Sequence, residues 1–414
     1  MSTRLAIDEL GAQGDGIAHT PAGPVYVPFA LPGEVVLAQV EKGRGRLLAV
    51  EKPSSLRVEP ASRHFGICGG CAVQHLAPDP YAEWKREKVV RALGSRGLDA
   101  AVEPLIRCPP GSRRRVTLSA RAADGRTLLG FHAAQSHRII NIEECPVAVP
   151  QITAALSDLR QLAGLIATGP KTFRMTVTAT RTGLDIAAED LGRLDEGRRR
   201  QAIDFVLAKG FARLSIGGEV LVEREKPVVL FGSTPVSLPP GSFLQATEQA
   251  EEAMAGLVCR HLAGAKHAAD LFAGSGTFAL HLARASRVHA VEGDAAALKA
   301  LDEAAKRAGG LKPISVEKRD LFNRPLTAKE LGRFDGLVFD PPRAGAEAQC
   351  RQIARSTVRR VAAVSCNPGT LARDLAVLVE GGYGIVSVTP VDQFLWSPHV
   401  EVVALLERVK SGRP

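Results

Sequence analysis

From residue 237 onward the chain alternates short apolar runs with helix-length amphipathic ones, and no other feature restricts its fold as strongly. Strand-like runs fall at 268–272, 288–291, 314–317, 336–339, 360–364, 385–391 and 400–406. Helical periodicity at 277–285 and 295–308 separates the first three. Strands joined through helices run parallel, because the chain must cross a face of the sheet before it re-enters. The result is a doubly wound α/β sheet, whose ligands bind beyond the carboxyl ends of the strands. The last two runs have no helix-length segment between them and are expected to pair as an antiparallel hairpin.

The preceding chain has a different rhythm. Between 4 and 57, short apolar stretches at 5–10, 25–29, 34–41 and 45–51 are broken by glycine and proline, with Gly23-Pro24 directly before the second. Short strands at this spacing suggest a small oligonucleotide-binding (OB-like) β-barrel. From 58 to 235 the pattern is mixed α and β, with helical periodicity at 81–93 and 149–165 and strands at 172–179 and 184–188. Three domains are therefore expected, at 1–57, 58–235 and 236–414, which 414 residues amply allow. Lys plus Arg exceed Asp plus Glu by 53 to 44, and the net charge of +9 favours an anionic partner such as nucleic acid. Arg113-Arg114-Arg115 stand at the mouth of a strand, either as a solvated strand end or as phosphate contacts. Seven cysteines are an odd, low count that does not suggest a disulfide framework, so reduced thiols with metal or catalytic work are expected. No run of 18 apolar residues and no leader-like start occur, so the expectation is a soluble, cytoplasmic monomer without membrane contact.

The strand ends carry the chemistry. Gly274-Ser275-Gly276-Thr277-Phe278-Ala279 fits G-x-G-x-x-A between a strand and a helix, and Glu292 ends the next strand, where an acid can accept from ribose hydroxyls. This pattern alone fits a nicotinamide dinucleotide or S-adenosylmethionine. Asp320 sits past the third strand, within reach of an adenine amino group or as a turn cap. Asp340-Pro341-Pro342-Arg343 places a carboxylate and two residues without N–H at the fourth strand tip, a rigid wall for a flat base or a simple turn. Cys366, in Ser365-Cys366-Asn367-Pro368, is either a small buried residue or an activated thiol near a helix start. A thiolate adding to C6 of a pyrimidine makes C5 nucleophilic, and a base must then remove the C5 proton. Glu401, inside an otherwise apolar strand, is the candidate base, with His399 as its rival.

Gln245 in Phe243-Leu244-Gln245, the loop 270–277, Glu292, Asp320, Asp340-Pro341-Pro342-Arg343, Ser365-Cys366-Asn367-Pro368 and Ser397-Pro398-His399-Val400-Glu401 resemble, in order, the bacterial RNA uracil-C5 methyltransferases. Cytosine-C5 enzymes of RNA carry a second cysteine where this chain has Arg343. The resemblance implies a Rossmann-like class I methyltransferase domain behind a central α+β domain and an N-terminal TRAM barrel. It also implies an RNA substrate, 23S ribosomal RNA with transfer RNA as the alternative, and S-adenosylmethionine as donor. By position, Gln245, Phe272, Gly274, Gly276, Thr277, Glu292, Asp320 and Asp340 would contact the donor, Cys366 would be the nucleophile and Glu401 the base. The ribosomal branch holds a [4Fe-4S] cluster through C-x5-C-G-G-C and one distant cysteine. Here Cys68, Cys71 and Cys145 match three ligands, and Ser62 stands in the first place, which puts a four-cysteine iron-sulfur site in question. Two rivals remain: a nicotinamide oxidoreductase built on the glycine loop, and a non-catalytic RNA-binding factor, which would need neither Cys366 nor Glu401.

Overall fold

In the computed structural model, which describes residues 2–409 apart from 124 and 135, the first six strands share one sheet. Their spatial order is Ser2–Ala6, Val35–Glu41, Arg44–Lys52, Gly23–Pro28, Asp15–Thr20, Glu9–Leu10. Alternate residues point inward, so that Val25, Val27, Val36 and Ala38 build a small core with Leu5 and Ile7. The strand Asp15–Thr20 escapes a hydrophobic reading because its inward positions are Gly16 and Ala18. The expected outer limits at 1 and 410–414 lie outside the described residues.

The central sheet has seven strands, ordered Ile139–Asn141, Arg126–His132, Arg115–Ala123, Phe173–Thr180, Gly183–Glu189, Arg213–Ile216, Glu219–Glu223. Helices Leu156–Ile166 and Glu196–Lys209 pack on it, with Leu159, Leu162 and Val206 against Leu118, Phe173 and Met175. The helical stretch expected at 149–165 is two helices, Pro150–Ala154 and Leu156–Ile166, separated at Ala155. Glu196–Lys209 leaves little apolar signal because only Ala202 and Val206 are buried, yet its ends are well marked. Asp195 accepts from Arg198 N–H at its start, and Gly210 takes the left-handed conformation at its end.

The third sheet has eight strands: Ile314–Lys318, Arg287–Glu292, His267–Leu271, Gly336–Phe339, Arg360–Ser365, Glu401–Arg408, Tyr383–Asp392, Ile106–Arg107. The first five are parallel, while Glu401–Arg408 runs antiparallel to both neighbours, which gives the expected hairpin with Tyr383–Asp392. Strand order reverses between His267–Leu271 and Gly336–Phe339, and a crevice opens at such a switch point. The class is thus a Rossmann-like α/β domain joined to an α+β domain and an N-terminal six-stranded module.

One stretch crosses the boundary expected at 235. Helix Pro78–Gly94 buries Tyr81, Lys85, Val89 and Leu93 along one face, and Val89 and Leu93 join the core that includes Leu371, Leu375 and Leu378 of helix Pro368–Glu380. Ile106–Arg107 then adds the edge strand to the eight-stranded sheet. The N-terminal module is fastened to the same helix: Leu31 packs with Val73, Leu76 and Tyr81, and Trp84 Nε1 donates to Gly11 O at 3.1 Å. Among the described residues no helix is long and apolar enough to cross a membrane.

Candidate active site

The donor-side residues gather at the switch point. Strand His267–Leu271 ends in Phe272, whose φ of 61° is a strained value for a residue with a large side chain. Its ring centroid lies 5.4 Å from that of Phe322, and the two rings flank the turn that Asp320 caps by accepting from Phe322 and Asn323 N–H. Gly276 has φ of 104°, and a Cβ there would meet Leu301 Cδ1 at 2.5 Å, so only glycine lets helix Thr277–Leu282 start where it does. Gly274 faces open space at the same point, and its N–H donates to Glu292 Oε2 at 2.9 Å. Glu292 Oε1 accepts from Gly293 and Asp294 N–H, so this acid sets the loop geometry as well as facing the crevice. Beneath the loop the Asp270 carboxyl is fully buried, and burial holds it well above the usual carboxylate range against the Ala279 N–H.

Cys366 and Glu401 meet across the neighbouring strands. Ser365 pairs with Val402, so the next residue on one strand and the previous one on the other stand side by side at the sheet edge. The thiol is half-buried. Burial first, then the Glu401 and Asp340 carboxylates, push its pKa up, while Arg343 pulls it down. Asn367 and Pro368 start helix Pro368–Glu380 directly after the thiol, as the sequence leads one to expect. Asn367 caps that helix by accepting from Gly369 N–H at 3.0 Å, and its Nδ2 donates to Arg343 O at 3.3 Å. The Arg343 guanidinium in turn donates to a ring nitrogen of His399 at 3.1 Å. Desolvation and the Arg343 charge push His399 down to about 4, so at neutral pH it is an uncharged acceptor.

Glu401 is 3% exposed, and its carboxyl is raised well above the usual range by burial and by Asp340, against hydrogen bonding from Gln393 and the Arg343 charge. Asp340 is pushed up to about 7 by burial, opposed by a hydrogen bond from Gln245 Nε2 at 2.9 Å. Gln393 donates to Gln245 Oε1 and to Glu401, and so bridges the two. Helix Pro78–Gly94 holds the loop that carries Gln393: Lys85 Nζ and Tyr81 OH both donate to buried Asp392, and Lys88 Nζ donates to Pro398 O. Sequence reasoning missed Gln393 and Lys85. The available signal was a lysine in the buried i, i+4 stripe that Tyr81, Val89 and Leu93 otherwise complete. The arginine run is not a solvated strand end, since Arg114 is buried against Glu251 at 2.5 Å and Arg113 faces Gln393 O and the Phe394 ring.

Two cavities adjoin this centre. One, of about 690 Å³, opens onto Cys366, Arg343 and His399 and is walled by Leu10 and Pro32 of the N-terminal module and by Trp84 of helix Pro78–Gly94. The other, of about 280 Å³, is lined by Cys68, Cys71, Cys145 and Ser62, with Arg113, Phe394 and His399 on its far side. Burial raises all three thiols, Cys71 to about 12. Ser62 Oγ already donates to Glu144 at 3.2 Å and accepts from His64 N–H. Among the described residues no group of three or more His, Cys, Asp or Glu side chains is placed to hold a metal ion. Cys68, Cys71 and Cys145 supply three thiols to one cavity and Ser62 supplies none, so the residues present do not make a four-cysteine cluster site.

The sequence and fold have clear likenesses. Residues 312–409 match the family model for tRNA (Uracil-5-)-methyltransferase, and residues 3–49 match that for the TRAM domain. An uncharacterized RNA methyltransferase of Mesorhizobium japonicum is 59% identical over 413 residues, covering 100% of both chains. The 23S rRNA (uracil(1939)-C(5))-methyltransferase RlmD of Halomonas elongata is 32% identical over 443 residues, covering 99% of this chain and 90% of that one. The tRNA (uracil-54, C5)-methyltransferase of Pyrococcus abyssi, solved with S-adenosyl-L-homocysteine, shares the fold with a TM-score of 0.75 at 23% identity, over 98% of this chain and 100% of that one.

Proposed function

This chain belongs to the RNA uracil-C5 methyltransferases, and from that premise we propose that Cys366 is the nucleophile and Glu401 the base of the reaction. The enzyme transfers a methyl group from S-adenosylmethionine to C5 of a uridine in RNA. The observation that carries the assignment is the pairing of Ser365 with Val402, which sets the thiol beside a buried carboxylate at the mouth of a cavity. The Cys366 thiolate adds to C6, and the electron pair released at C5 attacks the donor methyl, expelling S-adenosylhomocysteine. Glu401 then takes the C5 proton, the C5=C6 bond re-forms and the thiolate leaves. Gln245, Phe272, Gly274, Gly276, Thr277, Glu292, Asp320 and Asp340 hold the donor along the switch-point crevice. Proximity of Asp340 to both Gln245 and the Glu401 network favours placing the reacting methyl between them.

The target is ribosomal RNA in this reading, since the relative named for 23S rRNA matches nearly the whole chain, whereas the family model named for transfer RNA matches residues 312–409 and the likeness to the solved transfer RNA enzyme is one of fold. A flipped uridine reaches Cys366 through the 690 Å³ cavity, whose N-terminal wall explains why the small module is docked there. Because Ser62 is committed to Glu144 and His64, no step is routed through an iron-sulfur cluster. The three thiols line the second cavity together with Phe394 and His399, and Ala72 and Val73 N–H, beside Cys71, donate to Trp396 O of the loop from Phe394 to His399. Cys366→Ala is expected to abolish transfer while leaving donor binding intact, and Glu401→Gln to accumulate a methylated protein–RNA adduct on a denaturing gel. Turnover in the first variant, or no slow-migrating species in the second, would remove the assignment.

A further inference from the structure

Gln393 follows the strand Tyr383–Asp392 and is 2% exposed. Its Oε1 accepts from Ala246 N–H at 2.8 Å. A backbone N–H can only donate, so this contact settles which end of the amide is oxygen and turns Nε2 the other way. There Nε2 donates to Gln245 Oε1 at 2.8 Å and to Glu401 Oε2. With its oxygen occupied as acceptor, Gln245 presents Nε2 to Asp340 Oδ2 at 2.9 Å. One backbone donor thus sets the direction of a chain of amides that ends on two carboxylates, each receiving an N–H.

We propose that Gln393 is the positioning residue for proton removal, holding Glu401 as a hydrogen-bond acceptor in register with the donor-side pair Gln245–Asp340. The proposal rests on Glu401 as the base. An acceptor that is also a base must stay ionised in a buried place, and a donor amide favours the charged form without competing for the proton. The other charged or titratable groups that face Glu401 are Asp340, which opposes its ionisation, Arg343, which favours it, and the Cys366 thiol. Gln393 is the neutral donor that opposes the burial and the Asp340 charge at Glu401, and through Gln245 it ties the base to the carboxylate on the donor side.

Two variants separate positioning from support of the fold. Gln393→Met keeps length and removes both polar atoms; Gln393→Glu keeps an acceptor for Ala246 N–H and replaces the donor with a second carboxylate. With unmodified ribosomal RNA and S-adenosylmethionine, formation and resolution of the adduct are timed separately from about pH 6 to about pH 9. At saturating S-adenosylmethionine both variants should form the adduct at near wild-type rate but resolve it about tenfold more slowly at neutral pH, with the rate profile displaced to higher pH. Resolution at the wild-type rate with an unmoved profile overturns the proposal, as does adduct formation at saturating donor slowed as much as resolution, which is what mere support of the Gln245 loop would produce. Glu401→Gln run alongside distinguishes the premise: if it fails to hold the adduct, the base assignment itself is wrong, and if it holds the adduct while both Gln393 variants behave as wild type, only the role of Gln393 falls.

Discussion

At Asp340 the electrostatics make a directional prediction. Burial lifts this carboxyl to about 7, next to a Glu401 that is also raised and above a buried Asp270 held well over its usual range. In the unfolded chain these acids would ionise near the ordinary carboxylate values. Folded-state pKa values that are raised mean stability fully present below the unfolded pKa and lost as pH rises through about 7. A sulfonium cation placed against Asp340 reverses that cost by favouring the ionised form. Affinity for S-adenosylmethionine should therefore rise with pH toward and through about 7 and then level, while uncharged S-adenosylhomocysteine should show a flatter profile; calorimetry across pH measures both. Identical slopes for the two would place Asp340 away from the sulfonium. Cys366 and Asp340 could be singled out in the sequence because each stands in a short motif directly after an apolar run, and Glu401 because a carboxylate inside an apolar strand is costly. Gln393 was not, since an amide at a strand end has no local signature and its partner Ala246 lies 147 residues away in the chain.

Among the elements, helix Pro78–Gly94 explains why the catalytic loop keeps its shape. Its apolar period is interrupted by Lys85, fully buried, whose ammonium meets the buried Asp392 carboxylate next to Gln393. Removing one partner of such a pair leaves the other charge uncompensated in the interior. Lys85→Met is expected to cost about 3–5 kcal/mol in denaturant unfolding, and adding Asp392→Asn to recover most of it. If the double variant is no more stable than the single one, the pair is not what fixes the loop. The alternation of strands and helices after 237 and the closing hairpin could be read in advance because periodicity is local. That 78–107 packs on the catalytic sheet could not be, because a docking face of Tyr81, Val89 and Leu93 looks like any helix facing its own domain.

For the molecule as a whole, the proposed entry of RNA through the cavity between the N-terminal module and Cys366 is consistent with a net charge of +9. Phosphate contacts release counterions, so RNA affinity should fall by more than about tenfold between roughly 50 and 200 mM salt, while donor affinity stays nearly constant; filter binding and calorimetry separate the two. Equal salt sensitivity would mean that charge acts on the fold. The three-part order was visible in composition and rhythm, but the joint between the parts was not, since Leu31, Tyr81 and Trp84 read as ordinary core residues until they are seen to face each other. The covalent route through one thiol and one carboxylate is tested most directly by peptide-mapping mass spectrometry. Glu401→Gln protein is incubated with S-adenosylmethionine and ribosomal RNA from cells that lack the enzyme, then digested. A methylated uridine attached to the peptide that contains Cys366, and absent when Cys366→Ala is added, is the predicted result; attachment at another cysteine, or methylated RNA made by the Cys366→Ala protein, would contradict it.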